Sequence, residues 1–179
     1  LCLGVTTTTG DAEGEVVAEK PVPAITPETL DAVRQRFTGR ITQIPPMHSA
    51  LKKDGKALYE YARAGIEVER APREVTISAL KLALAYDQTA QPAIKIEVSC
   101  SKGTYIRTLG EDIAEALGCG GHLVALRRVA TGSFGIAQCI SLAELEALDA
   151  DARARRLLPC EALLPDHAAV TLLPQDAAR

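Results

Sequence analysis

Between residues 94 and 118 the spacing of apolar residues changes from two to between three and four. Over 94–100 apolar and polar residues alternate, which is typical of a strand with one buried face. From Ile106 to Leu117 apolar residues recur at helical spacing and Gly118 follows, which predicts an amphipathic helix. Because strands and helices follow no strict βαβ order along the chain, we expect an α+β fold whose mixed, largely antiparallel sheet is flanked by helices.

A second strand pattern contains an irregularity. Over 73–86 the apolar residues begin on one face and continue on the other, with the change near Ala79, so we predict a β-bulge there. The other predicted elements are a helix that begins after Thr26 and ends near Gly39, a helix over 56–64 stopped by Gly65, a strand over 122–130 and a helix that begins after Ser141.

Several classes of protein are disfavoured by the sequence. Apolar residues make up 47% of the chain, but none of its apolar runs approaches the roughly 18 residues of a transmembrane helix, so we expect no membrane partner. The five cysteines lie far apart and the three histidines are scattered, so we expect no metal site and a reducing, cytoplasmic setting. No nucleotide-binding glycine motif is complete, so the sequence does not indicate a dinucleotide site.

Positive charge is concentrated in one segment. The chain has a net charge of −3, yet residues 40–73 contain seven basic and four acidic residues. Such a segment can bind a polyanion although the whole chain is acidic, because salt largely screens the interaction between exposed charges that lie more than about 10 Å apart. The alternative is an ordinary solvated helical face.

The predicted junction between the strand and the helix carries groups suited to a site. Tyr105 and Arg107 lie where the first N–H groups of a helix are unpaired. If both side chains face one cleft, the phenol can stack on a base and the guanidinium can pair with a carboxylate or phosphate. In the alternative, Tyr105 covers the edge of the core and Arg107 pairs with a surface charge.

Four separated motifs resemble the TruB family of tRNA pseudouridine-55 synthases, and they occur in that family's order. They are the threonine-rich turn Gly4–Gly14, the segment Gln43–Lys52 with its continuation Gly55–Gly65, the run Ser101–Thr108, and the run Leu117–Leu123 leading to Leu126-Arg127-Arg128. The resemblance covers roughly residues 4–135.

The resemblance implies a cofactor-free isomerase that flips a uridine out of the tRNA T-loop and begins glycosidic cleavage with an aspartate. It places Tyr105 beside the uracil, Arg107 against the catalytic aspartate and Leu126 against the flipped ring. It makes residues 40–73, called the insertion below, a grip on the RNA stem-loop. The RNA contacts implied are His48, Lys52, Lys53, Lys56, Arg63, Lys102, Arg127 and Arg128.

One expected part of that family's site has no match in the sequence. The catalytic aspartate belongs to a Gly/Leu/Asp-rich motif upstream of the threonine-rich turn, so we expect a truncated catalytic domain that is inactive alone. Asp11 is expected to make an Asx-type bond to the backbone rather than to act as nucleophile. We assign 1–162 to this partial domain and 163–179 to the start of a PUA-like segment, in a monomer that binds the tRNA T-stem-loop. A non-catalytic RNA-binding or chaperone module and an idle structural domain are the alternatives.

Overall fold

The computed structural model describes residues 1–86, 91–165, 167, 168 and 170. These residues form two compact units, 1–126 and 127 onwards, each described here by itself. The strands are β1 (Cys2–Leu3), β2 (Val5–Thr7), β3 (Val16–Glu19), β4 (Gly39–Gln43), β5 (Lys52–Lys53), β6 (Lys56–Ala57), β7 (Arg73–Tyr86), β8 (Pro92–Cys100), β9 (Gly121–His122), β10 (Ala130–Thr131) and β11 (Phe134–Gly135). The α-helices are α1 (Pro27–Arg36), α2 (Leu58–Arg63), α3 (Ile106–Ala116), α4 (Leu142–Glu146) and α5 (Ala150–Ala154).

The first unit is built on a five-stranded antiparallel sheet in the order β4-β7-β8-β1-β9. The apolar face of this sheet packs against α1 and α3, and Ile77, Ile94, Leu109 and Ile113 are almost completely buried between them. The α+β class and the largely antiparallel sheet predicted from the sequence are therefore confirmed.

The predicted bulge in β7 is also confirmed. The pairing of β7 with β8 shifts register between Ile77 and Ala79. Val75 and Ile77 before the shift and Leu80 after it are all buried, whereas Ala79 is exposed. The extra residue thus keeps a phase-shifted sequence on one face of the core.

Helix α1 begins as predicted after Thr26, whose side-chain oxygen accepts from the Thr29 N–H at 3.3 Å. Its C-cap is Phe37, so Thr38 rather than Gly39 is the first residue beyond the cap, and the predicted end at Gly39 is one residue late. Gly39 already begins β4. Helix α3 ends before Gly118, as predicted. In the second unit, Ser141 caps α4 as predicted.

Two predicted boundaries were wrong. Residues 122–130 do not form one strand, because β9 ends at His122 and only short β10 follows at Ala130. Helix α2 begins at Leu58 rather than at Lys56, because Lys53 and Lys56 pair across a hairpin. The two residues of this turn, Asp54 and Gly55, have φ values of 52° and 79°, as a two-residue hairpin of type I′ requires.

Residues 163–179 lie mostly outside the described residues, so their assignment to a PUA-like segment stays a prediction. The second unit contains the β10–β11 hairpin and the short helices α4 and α5. Its many exposed leucines include Leu157, Leu158 and Leu163. No helix of the described residues is long and apolar enough to cross a membrane.

Candidate active site around Arg107

Strand β8 leads into α3 through a tight turn. The Thr104 hydroxyl donates to the Ser101 carbonyl at 2.8 Å, and the Ser101 Oγ accepts from the Thr76 N–H on β7 at 3.0 Å. Tyr105 is the N-cap of α3, with extended backbone angles of φ −94° and ψ 109°. The turn therefore fixes the first residue of the helix against the sheet, and Arg107 follows in the first helical turn.

The side chain of Arg107 faces the protein rather than bulk water, and its exposed fraction is 25%. One terminal nitrogen donates to the Thr9 carbonyl and to Asp11 Oδ2, each at 3.1 Å. The other donates to the His48 carbonyl at 2.6 Å. Arg107 thus joins the threonine-rich turn, the insertion and the β8–α3 junction at one point.

Asp11 is the charged partner that the sequence did not reveal for Arg107. Its Oδ1 accepts from the Thr9 hydroxyl and, at 3.2 Å, from the Glu13 N–H, so the predicted Asx-type bond is confirmed. Burial acts to raise the pKa of Asp11, but the hydrogen bonds from Thr9 and Glu13 and the charge of Arg107 outweigh it and hold that pKa below its usual range. Asp11 is therefore an ionised carboxylate held in a fixed direction.

A second carboxylate lies next to this pair. Glu111, one turn after Arg107 on α3, packs against Gly10, where an added Cβ would lie 2.8 Å from the Glu111 carboxyl carbon. Burial raises the pKa of Glu111, the charges of Asp112 and Asp11 add to the rise, and Arg107 opposes it. The two carboxylates, Asp11 and Glu111, thus lie close to Arg107.

Arg107 still has hydrogen-bonding capacity. A guanidinium has five N–H donors, and the three bonds described use both of one terminal nitrogen and one of the other. Within the described residues, the Nε–H and one terminal N–H find no acceptor. Nε–H and a terminal N–H are suited to bidentate pairing with a further carboxylate.

The other predicted site residues fall into separate groups. Tyr105 is half-buried, and its hydroxyl bonds to none of the described residues. The Leu126 side chain is 65% exposed, which leaves its face available to a ligand. Lys102 is exposed in the turn before Tyr105. Arg127 and Arg128 are exposed at the start of the second unit.

The predicted RNA contacts of the insertion form a basic surface with aromatic neighbours. Lys52 and Lys53 lie on β5 and Lys56 on β6, all three exposed. The Lys56 ammonium lies 4.9 Å from the centre of the Tyr61 ring, and the Arg63 guanidinium carbon lies 5.3 Å from that of Tyr59. These contacts hold long basic side chains at the surface of the insertion.

His48 differs from the other predicted RNA contacts. It is its backbone carbonyl that bonds to Arg107, and its side chain is half-buried in the loop between β4 and β5. Nothing in the sequence pattern marked this carbonyl. Within the described residues, no group of three or more His, Cys, Asp or Glu side chains could hold a metal ion.

Comparison with known proteins shows family matches over most of the chain. The family model for the N-terminal domain of the TruB family pseudouridylate synthases matches residues 1–106, and the model for the tRNA pseudouridylate synthase B C-terminal domain matches residues 107–165. A chain in the crystal structure of a Cbf5-Nop10-Gar1 complex shares the fold, with a TM-score of 0.55 and 23% identity over 78% of this chain and 39% of that one.

Two bacterial relatives are both named tRNA pseudouridine synthase B. The protein of Ralstonia pickettii (strain 12J) is 57% identical over 99% of this chain, and that of Verminephrobacter eiseniae (strain EF01-2) is 60% identical over 98%. The chain spans about half the length of these relatives, 55% and 54% respectively. Fold and sequence together define a protein of the pseudouridine synthase class. The chain belongs to the TruB family of pseudouridylate synthases, which confirms the resemblance.

Proposed function

We propose that the protein isomerises the T-loop uridine at position 55 of tRNA to pseudouridine, by base flipping and attack of an aspartate. The observation that carries this proposal is the convergence on Arg107 of three motifs that resemble the family. Two of its N–H donors remain for the carboxylate of the attacking aspartate, which such a pair would keep ionised and oriented.

Asp11 is the partner that positions Arg107, and a different residue is the nucleophile. Both of its carboxylate oxygens are engaged, one by Thr9 and Glu13 and the other by Arg107. The resemblance assigns the attacking aspartate to a separate motif, whereas Asp11 belongs to the threonine-rich turn and orients Arg107. We therefore infer that residues 1–179 alone make no pseudouridine, since the motif expected to carry the attacking aspartate is not among them.

The half-buried Tyr105, with its unbonded hydroxyl, would lie beside the flipped uracil, and the exposed Leu126 would pack against the ring. The insertion would hold the T-stem-loop through Lys52, Lys53, Lys56 and Arg63. His48, Lys102, Arg127 and Arg128 would add further contacts. Holding the RNA by its backbone would offset the unstacking cost of extrusion, which is a few kcal/mol.

The setting we propose is the bacterial cytoplasm, with the protein acting as a monomer and without a cofactor. The five cysteines lie far apart in the sequence, which fits plain thiols in a reducing compartment. The relatives named above are bacterial. Residues 1–162 would form the catalytic part and 163–179 would begin an RNA-binding segment.

The test is tritium release from tRNA transcripts labelled at C5 of uridine. The protein in its full natural length should release tritium from a normal transcript and not from one with cytidine at position 55. Residues 1–179 alone should bind the transcript and release none. Lack of release by the folded protein in its full natural length would contradict the proposed activity, and binding without release would favour a non-catalytic RNA-binding module.

A further inference from the structure

Gln43, the last residue of β4, is a buried polar residue that the proposed mechanism does not use. Its exposed fraction is 3%. Its Nε2 donates to the Tyr105 carbonyl at 3.2 Å, and its Oε1 accepts from the Tyr105 N–H at 3.1 Å. Both polar ends of one side chain are thus satisfied by the backbone of one residue 62 positions further along the chain.

This pair of bonds acts where the direction of Tyr105 is decided. As the N-cap, Tyr105 has no helical acceptor for its N–H, and its extended φ and ψ set where its side chain points and where α3 starts. The Tyr105 carbonyl also accepts from the Leu109 N–H at 3.0 Å, so Gln43 and α3 hold it together. A two-point attachment restrains rotation of the peptide more than a single bond does.

Gln43 also lies at the point where residues 44–72 of the insertion leave the sheet. Gln43 pairs with Arg73 at the end of the β4–β7 ladder, so residues 44–72 of the insertion leave the sheet directly after Gln43 and return opposite it. Arg70 donates to the Pro45 carbonyl at 3.1 Å and holds the departing loop. The loop that carries the basic surface of the insertion therefore begins directly after the residue whose side chain holds Tyr105.

We propose that Gln43 is a positioning residue. Its carboxamide, at the end of β4, fixes the backbone of Tyr105 and thereby the directions of the Tyr105 phenol and of the Arg107 side chain. The effect of Gln43 on catalysis rests on the proposed function, whereas its effect on the position of Tyr105 can be tested without any activity.

Two substitutions separate the two bonds. Gln43→Met removes both and nearly keeps the side-chain volume, whereas Gln43→Glu keeps an acceptor for the Tyr105 N–H but sets a carboxylate oxygen against the Tyr105 carbonyl. Gln35→Met is the matched control, because Gln35 is exposed on α1 and its side chain, within the described residues, bonds to Asp31 alone.

The direct measurement is ¹⁹F NMR of the protein in its full natural length, with tyrosines replaced by 3-fluorotyrosine. The Tyr105 resonance is identified by its loss in Tyr105→Phe. Gln43→Met and Gln43→Glu should move this resonance while those of Tyr59, Tyr61 and Tyr86 stay in place, and Gln35→Met should move none. A Tyr105 resonance unmoved in both folded Gln43 variants would overturn the proposal.

A measurement on the unaltered protein guards against variants that fail to fold. The Tyr105 amide should exchange with solvent at least tenfold more slowly than an unbonded amide, because its N–H is bonded to a buried carboxamide. Exchange at the unprotected rate would also overturn the proposal.

Tritium release then separates positioning from general stability. Gln43→Met should lower kcat at least tenfold and change KM less than about threefold, whereas Gln35→Met should change neither. An unchanged kcat in the folded variant would reduce Gln43 to a structural role. If the unaltered protein released no tritium, the proposed function would fail, while the NMR and exchange results would still decide whether Gln43 holds Tyr105.

Discussion

At the residue scale, Arg107 organises the site by bonding to groups that are distant in sequence. Its partners are the Thr9 carbonyl, Asp11 and the His48 carbonyl, which lie 98, 96 and 59 positions away. The resemblance predicts that Arg107 pairs with the catalytic aspartate, which stays a prediction, and the structure adds Asp11 as a partner that was not predicted. The convergence assigns Asp11 the role of orienting Arg107.

Substituting Asp11→Asn should show this role as a loss of stability at neutral pH. The variant can keep an acceptor for Thr9 and Glu13 but loses the charge opposite Arg107, which should cost about 1–3 kcal/mol, as for hydrogen bonds to charged groups. Urea unfolding at pH 7 measures the difference. Asp31→Asn is the control, because its carboxylate pairs with Arg34 on an exposed helix surface and should matter little.

The same comparison has a defined pH dependence. The pKa of Asp11 is lower in the folded protein than the unfolded value of about 3.9. The stability that the ionised Asp11 contributes is therefore complete above that unfolded value, and it is lost as the pH falls through the folded pKa. The gap in unfolding free energy between the unaltered protein and Asp11→Asn should shrink below about pH 4. A gap of constant size from pH 7 to pH 2.5 would contradict the ion pair.

The partners of Arg107 could not be predicted from sequence, for a physical reason. The pattern at 101–109 predicts a turn and a helix, because hydrogen bonds and periodicity are local. Which carbonyl meets the guanidinium depends on how α3, the threonine-rich turn and the insertion pack, and spacing carries no signal for that. Gln43 was missed for the same reason, although it belongs to a motif that the resemblance used.

At the element scale, β9 packs closely against both β1 and α3 at Gly121. An added Cβ at Gly121 would lie 2.5 Å from the Cys2 carbonyl oxygen and 2.9 Å from the Ala114 Cβ. Neither atom is at the end of a flexible side chain, so strand and helix would have to separate. The residue must therefore be glycine for β1, β9 and α3 to pack as they do.

Gly121→Ala should accordingly destabilise the protein by about 1–3 kcal/mol, as overpacking a core does. Gly135→Ala is the control, since the nearest atom to its added Cβ is 3.9 Å away and its φ is −100°, and it should change stability by less than about 0.5 kcal/mol. Thermal or urea unfolding measures both. Equal effects of the two substitutions would show that the close approach is not limiting.

The basic surface of the insertion should bind RNA through charge. Lys52→Gln with Lys56→Gln removes two exposed positive charges, so RNA binding should weaken at low salt and the slope of log affinity against log salt should fall by about two. Filter binding of a T-stem-loop RNA at several salt concentrations measures this. As the control, Lys81→Gln with Lys95→Gln, on β7 and β8, removes the same charge and should leave the slope unchanged. Equal slopes for the unaltered protein and both double variants would exclude the insertion from the RNA interface.

Elements were predicted well where the signal was local. The bulge near Ala79 was predicted because the apolar phase changes within one strand, and the helix after Thr26 because its cap lies in the sequence. The hairpin at Asp54-Gly55 was missed, although this dipeptide is a known turn signal. The strand over 122–130 was wrong because alternation alone does not provide a pairing partner.

At the scale of the whole molecule, the chain is a member of the TruB family with an α+β fold. The motifs predict the family, and the order of strands and helices predicts the fold class. The boundary between the compact units lies between Leu126 and Arg127, which local patterns did not indicate. Sequence motifs identify the family because several occur in one order, whereas the arrangement of units depends on contacts across the whole chain.

The most direct test of Arg107 as the centre of the site is Arg107→Lys in the protein of full natural length. Lysine keeps the charge but cannot bond the Thr9 carbonyl, Asp11 and the His48 carbonyl while offering a bidentate edge to a further carboxylate. Single-turnover tritium release should slow about 100-fold, as misplacement of a reacting group by about 1 Å does, while tRNA affinity stays within about threefold.

Arg40→Lys is the matched control, because Arg40 pairs with Glu74 on an exposed part of β4, and it should release tritium at the normal rate. Release by Arg107→Lys at the rate of the unaltered protein would contradict the central role given to this guanidinium.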